Sequence, residues 1–187
     1  MRSCTLHVIV LLTRAVLLCG ADAEGEALIK RLGPSLACSG CKMAIANFRF
    51  EVARHIKGKM SQQKKEDIFT KKLKRACSEA RYPIELATAD EDGRKIFIDQ
   101  RKMTSKHSNG WSGKEVRHDA LAICRHFVHS GQEALLGAVL KTTASRASEV
   151  NFQRQVCLQP GLVCEHADVP ESDEGEEDDN AEEDADL

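Results

Sequence analysis

The sequence predicts an all-α domain stapled by disulfides, with a small β-hairpin inserted between its second and third helices. Three observations predict it. Apolar residues recur at helical spacing in three long stretches. Six cysteines remain once an N-terminal apolar segment is set aside, and an even set in a secretory chain reads as a disulfide framework. One stretch, 84–99, switches to a two-residue period around a turn signal. The chain has 187 residues, 30% charged and 4% aromatic, a length that suits one domain with tails.

Arg2 opens the chain, an apolar run extends from Leu6 to Leu18, and Ala21-Asp22-Ala23 is a small-x-small cleavage pattern. Residues 1–23 therefore read as a secretory signal peptide, weakened but not abolished by Arg14. Cleavage removes Cys4 and Cys19 and leaves Cys38, Cys41, Cys77, Cys124, Cys157 and Cys164. Counting alone leaves about 15 pairings open. Residues 24–37, with Gly25, Gly33 and Pro34, read as a leader into the fold. From Cys38, the residues Cys41, Ile45, Phe48, Val52 and Ile56 form the apolar stripe of a first helix that ends near Met60.

Ser61 caps a second helix, with Phe69, Leu73, Ala76, Cys77 and Ala80 on one face and Pro83 as its stop. The opposite face carries Lys64, Lys65, Lys71, Lys72, Lys74 and Arg75. Ile84 and Leu86, then Ile96 and Ile98, alternate with polar neighbours around Asp90-Glu91-Asp92-Gly93, a hairpin signature. Two strands alone are marginal, so the hairpin must lean on helices. Residues 100–112 are polar, hold the sole tryptophan, Trp111, and read as a mobile loop.

Ser112-Gly113-Lys114-Glu115 fits a capping box. It would open a third helix with the stripe Val116, Ala120, Ile123, Cys124, Phe127, Leu135 and Val139, kinked or broken at Gly131. A shorter helix is expected from Ala144 to Val156, with the stripe Ala147, Val150 and Cys157, and Pro160-Gly161 marks a turn. Beyond His166 the chain is acidic and low in complexity, and residues 167–187 read as a disordered tail.

The formal net charge of −2 hides an asymmetry. Residues 165–187 carry 13 Asp/Glu and no Lys/Arg, whereas residues 24–164 carry 25 Lys/Arg against 15 Asp/Glu, a surplus of ten positive charges. No nucleotide-binding glycine loop, GxSxG or HExxH occurs, which disfavours those catalytic classes. No Asn-x-Ser/Thr sequon occurs either.

The cysteine order is Cys38-Ser39-Gly40-Cys41, then Cys77, then Cys124, then Cys157-x6-Cys164, with a long interval between the two single cysteines. Over about residues 38–166 this resembles the canopy family of saposin-like proteins. The resemblance implies a nested pairing: Cys38–Cys164, Cys41–Cys157 and Cys77–Cys124. It also implies residence in the endoplasmic reticulum lumen, or secretion, and a role as folding adaptor or co-chaperone for receptors and secreted proteins beside a lumenal Hsp90. Canopy proteins often end in a KDEL-type tetrapeptide, where this sequence has Asp184-Ala185-Asp186-Leu187.

The expected function is thus a non-enzymatic binding module with no catalytic residue and no cofactor. Its partner surface is expected at Lys64, Lys65, Lys71, Lys72, Lys74 and Arg75, or at Trp111. A secretory address argues against nucleic acid as the partner. The acidic tail suits weak calcium association, since its carboxylates offer oxygen ligands without a fixed cage. Two other readings compete: a saposin-type lipid-binding protein, and a thiol–disulfide oxidoreductase using Cys38 and Cys41. His126-x-x-His129 beside Cys124 has the spacing of half a zinc site, but Cys124 is wanted for a disulfide.

Overall fold

The computed structural model describes residues 24–158 together with Cys164. The expected signal peptide, the turn expected at Pro160-Gly161 and the acidic run 167–187 lie outside the described residues. Among the described residues six α-helices and a three-stranded antiparallel sheet are tied by three disulfides. The helices are α1 (24–32), α2 (Pro34–Glu51), α3 (Gln62–Ala76), α4 (Lys114–Ser130), α5 (Gln132–Lys141) and α6 (Phe152–Val156). The strands are β1 (Leu86–Glu91), β2 (Arg94–Asp99) and β3 (Ser108–Ser112), in the order β2-β1-β3. Among the described residues no helix is long and apolar enough to cross a membrane.

Helix α2 is the spine, packing against α3, α4, α6 and β2. Its predicted stripe is fully buried, from Cys41 through Ile45 and Phe48 to Val52 and Ile56. The Phe48 ring meets Phe69 of α3 edge-on at 5.9 Å and Phe152 of α6 at 5.0 Å, the preferred geometry for aromatic pairs. The helix bounds differ from expectation. Pro34 occupies the first turn, where its missing N–H costs nothing, so α2 starts before Cys38. It stops at Glu51, and a 3-10 turn, Ala53–His55, carries Ile56 back into the core. The presumed leader is therefore structured: α1 packs Leu28, Ile29 and Leu32 on the core, and Arg31 makes two hydrogen bonds to Asp119 of α4, at 3.1 and 2.6 Å.

Ser61 caps α3 as expected, accepting from the Lys64 N–H. The helix ends at Ala76, earlier than Pro83 would require, and a 3-10 turn covers Glu79–Arg81. In the hairpin, Asp92 and Gly93 both have positive φ, 49° and 78°, as a tight two-residue turn demands. The register pairs Thr88 with Phe97 and Glu91 with Arg94. Ile84 precedes the strands and is 87% exposed, so Leu86 and Phe97, not Ile84, anchor the hairpin inward. The expected loop at 100–112 contains β3, which pairs with β1 through Ala87↔Ser112 and Thr88↔Trp111. Ser112 is thereby committed to the ladder, and no capping box forms; the residue before α4 is Gly113, without a side-chain cap.

The stripe of the third predicted helix is buried throughout, and the chain does break at Gly131, between α4 and α5. The expected helix from Ala144 to Val156 is mostly absent. Gly58 N–H donates to the Ala144 carbonyl and Ala147 N–H to the Ile56 carbonyl, which holds that segment, a run of bends, against the turn after α2. A Cβ on Gly58 would lie 2.5 Å from the Ala144 oxygen, so the close approach requires glycine. Only a 3-10 turn, Ala147–Glu149, and the short α6 remain, and Phe152 rather than Val150 is the fully buried anchor.

The disulfides are Cys38–Cys164, Cys41–Cys157 and Cys77–Cys124, with Cα–Cα separations of 5.0, 6.0 and 5.6 Å. The first two grip the N-terminal half of α2 from the C-terminal segment; the third joins the end of α3 to α4. Peptide mapping of the unreduced protein should recover these three pairs; recovery of a Cys38–Cys41 peptide would contradict them. Replacing Cys41 and Cys157 together by alanine should cost about 3 kcal/mol on the chain-entropy account, because the outer Cys38–Cys164 bridge leaves only a short ring for the inner one to close, read by chemical denaturation.

The one tyrosine of the chain, Tyr82, is buried beside the core. Burial pushes its phenol up to about 12. Ionisation then opposes the fold, so stability should hold below the ordinary tyrosine value of about 10 and fall as pH rises from there through 12. Absorbance titration of tyrosinate checks this directly. A midpoint near 10 in the folded protein would contradict the burial.

Candidate functional site

The six cations expected on one face of α3 are distributed by the fold to three places. Lys65 is turned inward and only 3% exposed. Its Nζ donates to the Leu140 carbonyl at 3.2 Å and the Thr142 carbonyl at 3.0 Å. Terminal helix carbonyls lack intrahelical partners, and a cation there also complements the negative end of the helix dipole. Lys65 thus caps α5 and is no partner-binding residue. Lys74 looks the other way, toward α1 and α4. Lys64, Lys71 and Arg75 are exposed and Lys72 is half-buried, with Lys72 and Arg75 close enough to His55 to act on its protonation.

The aromatic residue of that surface is Phe50, which the sequence reading did not single out. Phe50 lies near the end of α2 and is 43% exposed. The Arg54 guanidinium sits 3.6 Å from its ring centroid and that of Arg81 4.4 Å away, within cation–π range. Arg81 also pairs with Glu51, whose carboxylate is buried. An uncompensated carboxylate at such a site is costly, so the pair holds Arg81 in position. Arg54 Nε donates to His55 Nε2 at 3.2 Å. Burial, then the Lys72 and Arg54 cations, hold the His55 imidazole below its ordinary value, in keeping with a neutral ring that accepts this bond.

The outcome is a cationic surface: Arg54 and Arg81 lie over one exposed ring, and Lys72 and Arg75 stand near His55, the next residue after Arg54. Guanidinium forks match carboxylates in shape and charge, and a ring among them offers apolar contact. Trp111 lies elsewhere, on β3, 57% exposed. Thr88 Oγ1 donates to its carbonyl at 3.3 Å, so its backbone belongs to the sheet. The weak sequence signal for Phe50 was its place off the apolar stripe, two residues after Phe48.

All four residues of Cys38-Ser39-Gly40-Cys41 have structural duties. The cysteines bond to Cys164 and Cys157, not to each other. Ser39 Oγ accepts the Phe97 N–H of β2 at 2.9 Å. A Cβ on Gly40 would lie 2.6 Å from the Ile123 side chain of α4. Cys124 is bonded to Cys77, which removes it from any zinc site with His126 and His129. Among the described residues no group of three His, Cys, Asp or Glu side chains is placed to hold a metal.

Compared with known proteins, the chain matches no family model, no curated protein and no solved structure.

Because Lys65 bonds two backbone carbonyls, Lys65→Met should destabilise the oxidised protein by about 2–3 kcal/mol, while Lys71→Met, at an exposed position, should stay within about 0.5 kcal/mol. Equal effects of the two substitutions in urea unfolding would contradict the capping role.

Proposed function

We propose that this chain is a non-enzymatic binding module of the secretory pathway, a folding adaptor that docks on an acidic surface of a lumenal partner. The observation that carries this reading is the Phe50 ring flanked by Arg54 and Arg81, with Lys72 and Arg75 near the adjoining His55. The surface is preorganised: the buried Glu51 holds Arg81 and the ring stacks both guanidiniums, so little side-chain entropy remains to be lost on binding. The three disulfides suit an oxidising compartment. Their pairing order is also that implied by the resemblance to the canopy family of saposin-like proteins, and it supports a lumenal Hsp90 and its clients as the partners. The thiol–disulfide exchange reading loses support, because neither cysteine of the CxxC is paired with the other.

Opening of the helices to bind bilayer lipid, the saposin-type alternative, is opposed by the bridges that join α2 to the C-terminal segment and α3 to α4. The acidic run 165–187 starts next to Cys164 and bears 13 carboxylates. In this proposal it competes for the cationic surface, and an acidic partner displaces it.

The test measures binding of purified lumenal Hsp90 to the oxidised protein at two salt concentrations. Arg54→Glu with Lys72→Glu and Arg75→Glu should weaken binding at least about tenfold with helicity intact, and Arg81 is left in place to keep Glu51 paired. Removal of residues 167–187 should strengthen binding at low salt, where charges are screened least. Unchanged affinity in the triple variant would overturn the docking surface.

A further inference from the structure

A second site lies on the opposite side of α3. A cleft of about 1050 Å³ opens between α1, α3 and α4, at the upper end of the size range of small-molecule sites. Its floor is apolar, built from Leu28 of α1, Leu73 of α3, and Ala122 and Val128 of α4. At one end α1 touches α4 so closely that the His126 ring fills the space a Cβ on Gly25 would take. Cys77, fixed by its bond to Cys124, lies in the wall. The rim is cationic: Lys74 and Arg125 stand against one carboxylate, Glu24. The rings of His118, His126 and His129 stand beside them, on the same side of α4.

From this geometry we infer that the cleft is a binding site for one single-chain anionic amphiphile, of the fatty carboxylate class. The apolar floor takes the chain and the Lys74–Arg125 rim takes the head group. Charge complementarity selects the head: Lys74 and Arg125 stand at an apolar slot with only Glu24 as a lining carboxylate, so a carboxylate head offsets their charge where a neutral head cannot. A cleft of this volume suits a small molecule better than a continuing polypeptide. Lys74 explains itself here. It is the one exposed cation of α3 that faces the cleft and not the Phe50 surface. The two sites share no residue, so the second does not depend on the first.

The experiment titrates the oxidised full chain, in the form a secreting host delivers it, with a dansyl-labelled fatty acid, and then displaces the probe with laurate or with dodecanol. Saturable binding of one probe per chain is expected, with laurate displacing it at least about tenfold better than dodecanol. Lys74→Glu with Arg125→Glu should weaken laurate at least about tenfold and leave helicity unchanged. Ala122→Phe, which fills the floor without touching charge, should abolish the probe signal. The Arg54, Lys72 and Arg75 reversals should leave it unaffected. No saturable binding by the wild-type chain would overturn the site. So would equal displacement by the alcohol, equal binding by the double reversal, or binding that appears only after the disulfides are reduced. If Ala122→Phe binds like the wild type, the amphiphile sits elsewhere and the inference fails.

Discussion

The placement of α2 is the constraint from which the rest of the structure follows. Two disulfides hold its first half, at Cys38 and Cys41. The Phe48 ring holds its second half between Phe69 and Phe152. Between those anchors Ser39 receives the edge of the sheet and Gly40 lets α4 approach. Each contact would be lost by a modest rotation of the helix, because a turn of one residue moves a side chain by about 100° around the axis. Dense packing leaves no room for such a rotation without strain. The CxxC segment is therefore best understood as a junction of four neighbours and not as a reactive pair.

Where the sequence was legible, one physical signal dominated its position. The stripes on α2 and α4 were readable because burial of Ile45, Phe48, Ile123 and Phe127 outweighs every local preference. Asp92-Gly93 was readable because few residues tolerate positive φ at such a turn, and Gly131 because glycine weakens a helix interior. The failures are equally specific. Strand β3 carries Ser108, Gly110 and Ser112 and has no apolar alternation; its existence depends on the free edge of β1. The segment after Ala144 has a helical pattern, but backbone bonds to residues 56 and 58 draw its first residues out of a helix. Lys65 reads like any solvated lysine, since nothing local announces the end of α5 some 75 residues away. Phe50 could not be valued before Arg54 and Arg81 were seen to converge on it.

The same rigidity shapes what the molecule can do. A scaffold pinned by three bridges presents fixed surfaces instead of a moving lid. Helix α3 divides two of them, with Lys72 and Arg75 toward His55 and Lys74 toward the cleft between α1, α3 and α4. Both surfaces are cationic because the folded body carries the chain's positive surplus, while the acidic residues are concentrated after Cys164. Recognition by charge of this kind sets association rate and choice of partner more than ultimate affinity, which suits the adaptor role proposed above.

The central claim, that α2 is the element on which the others are assembled, is tested most directly by native-state hydrogen exchange of the oxidised protein. Amides from Ala44 to Phe48 should open only with global unfolding, at the highest free energy in the molecule, whereas amides of β3, the outer strand, should exchange through cheaper local openings. Exchange of the α2 amides at or below the free energy of β3 would contradict the account.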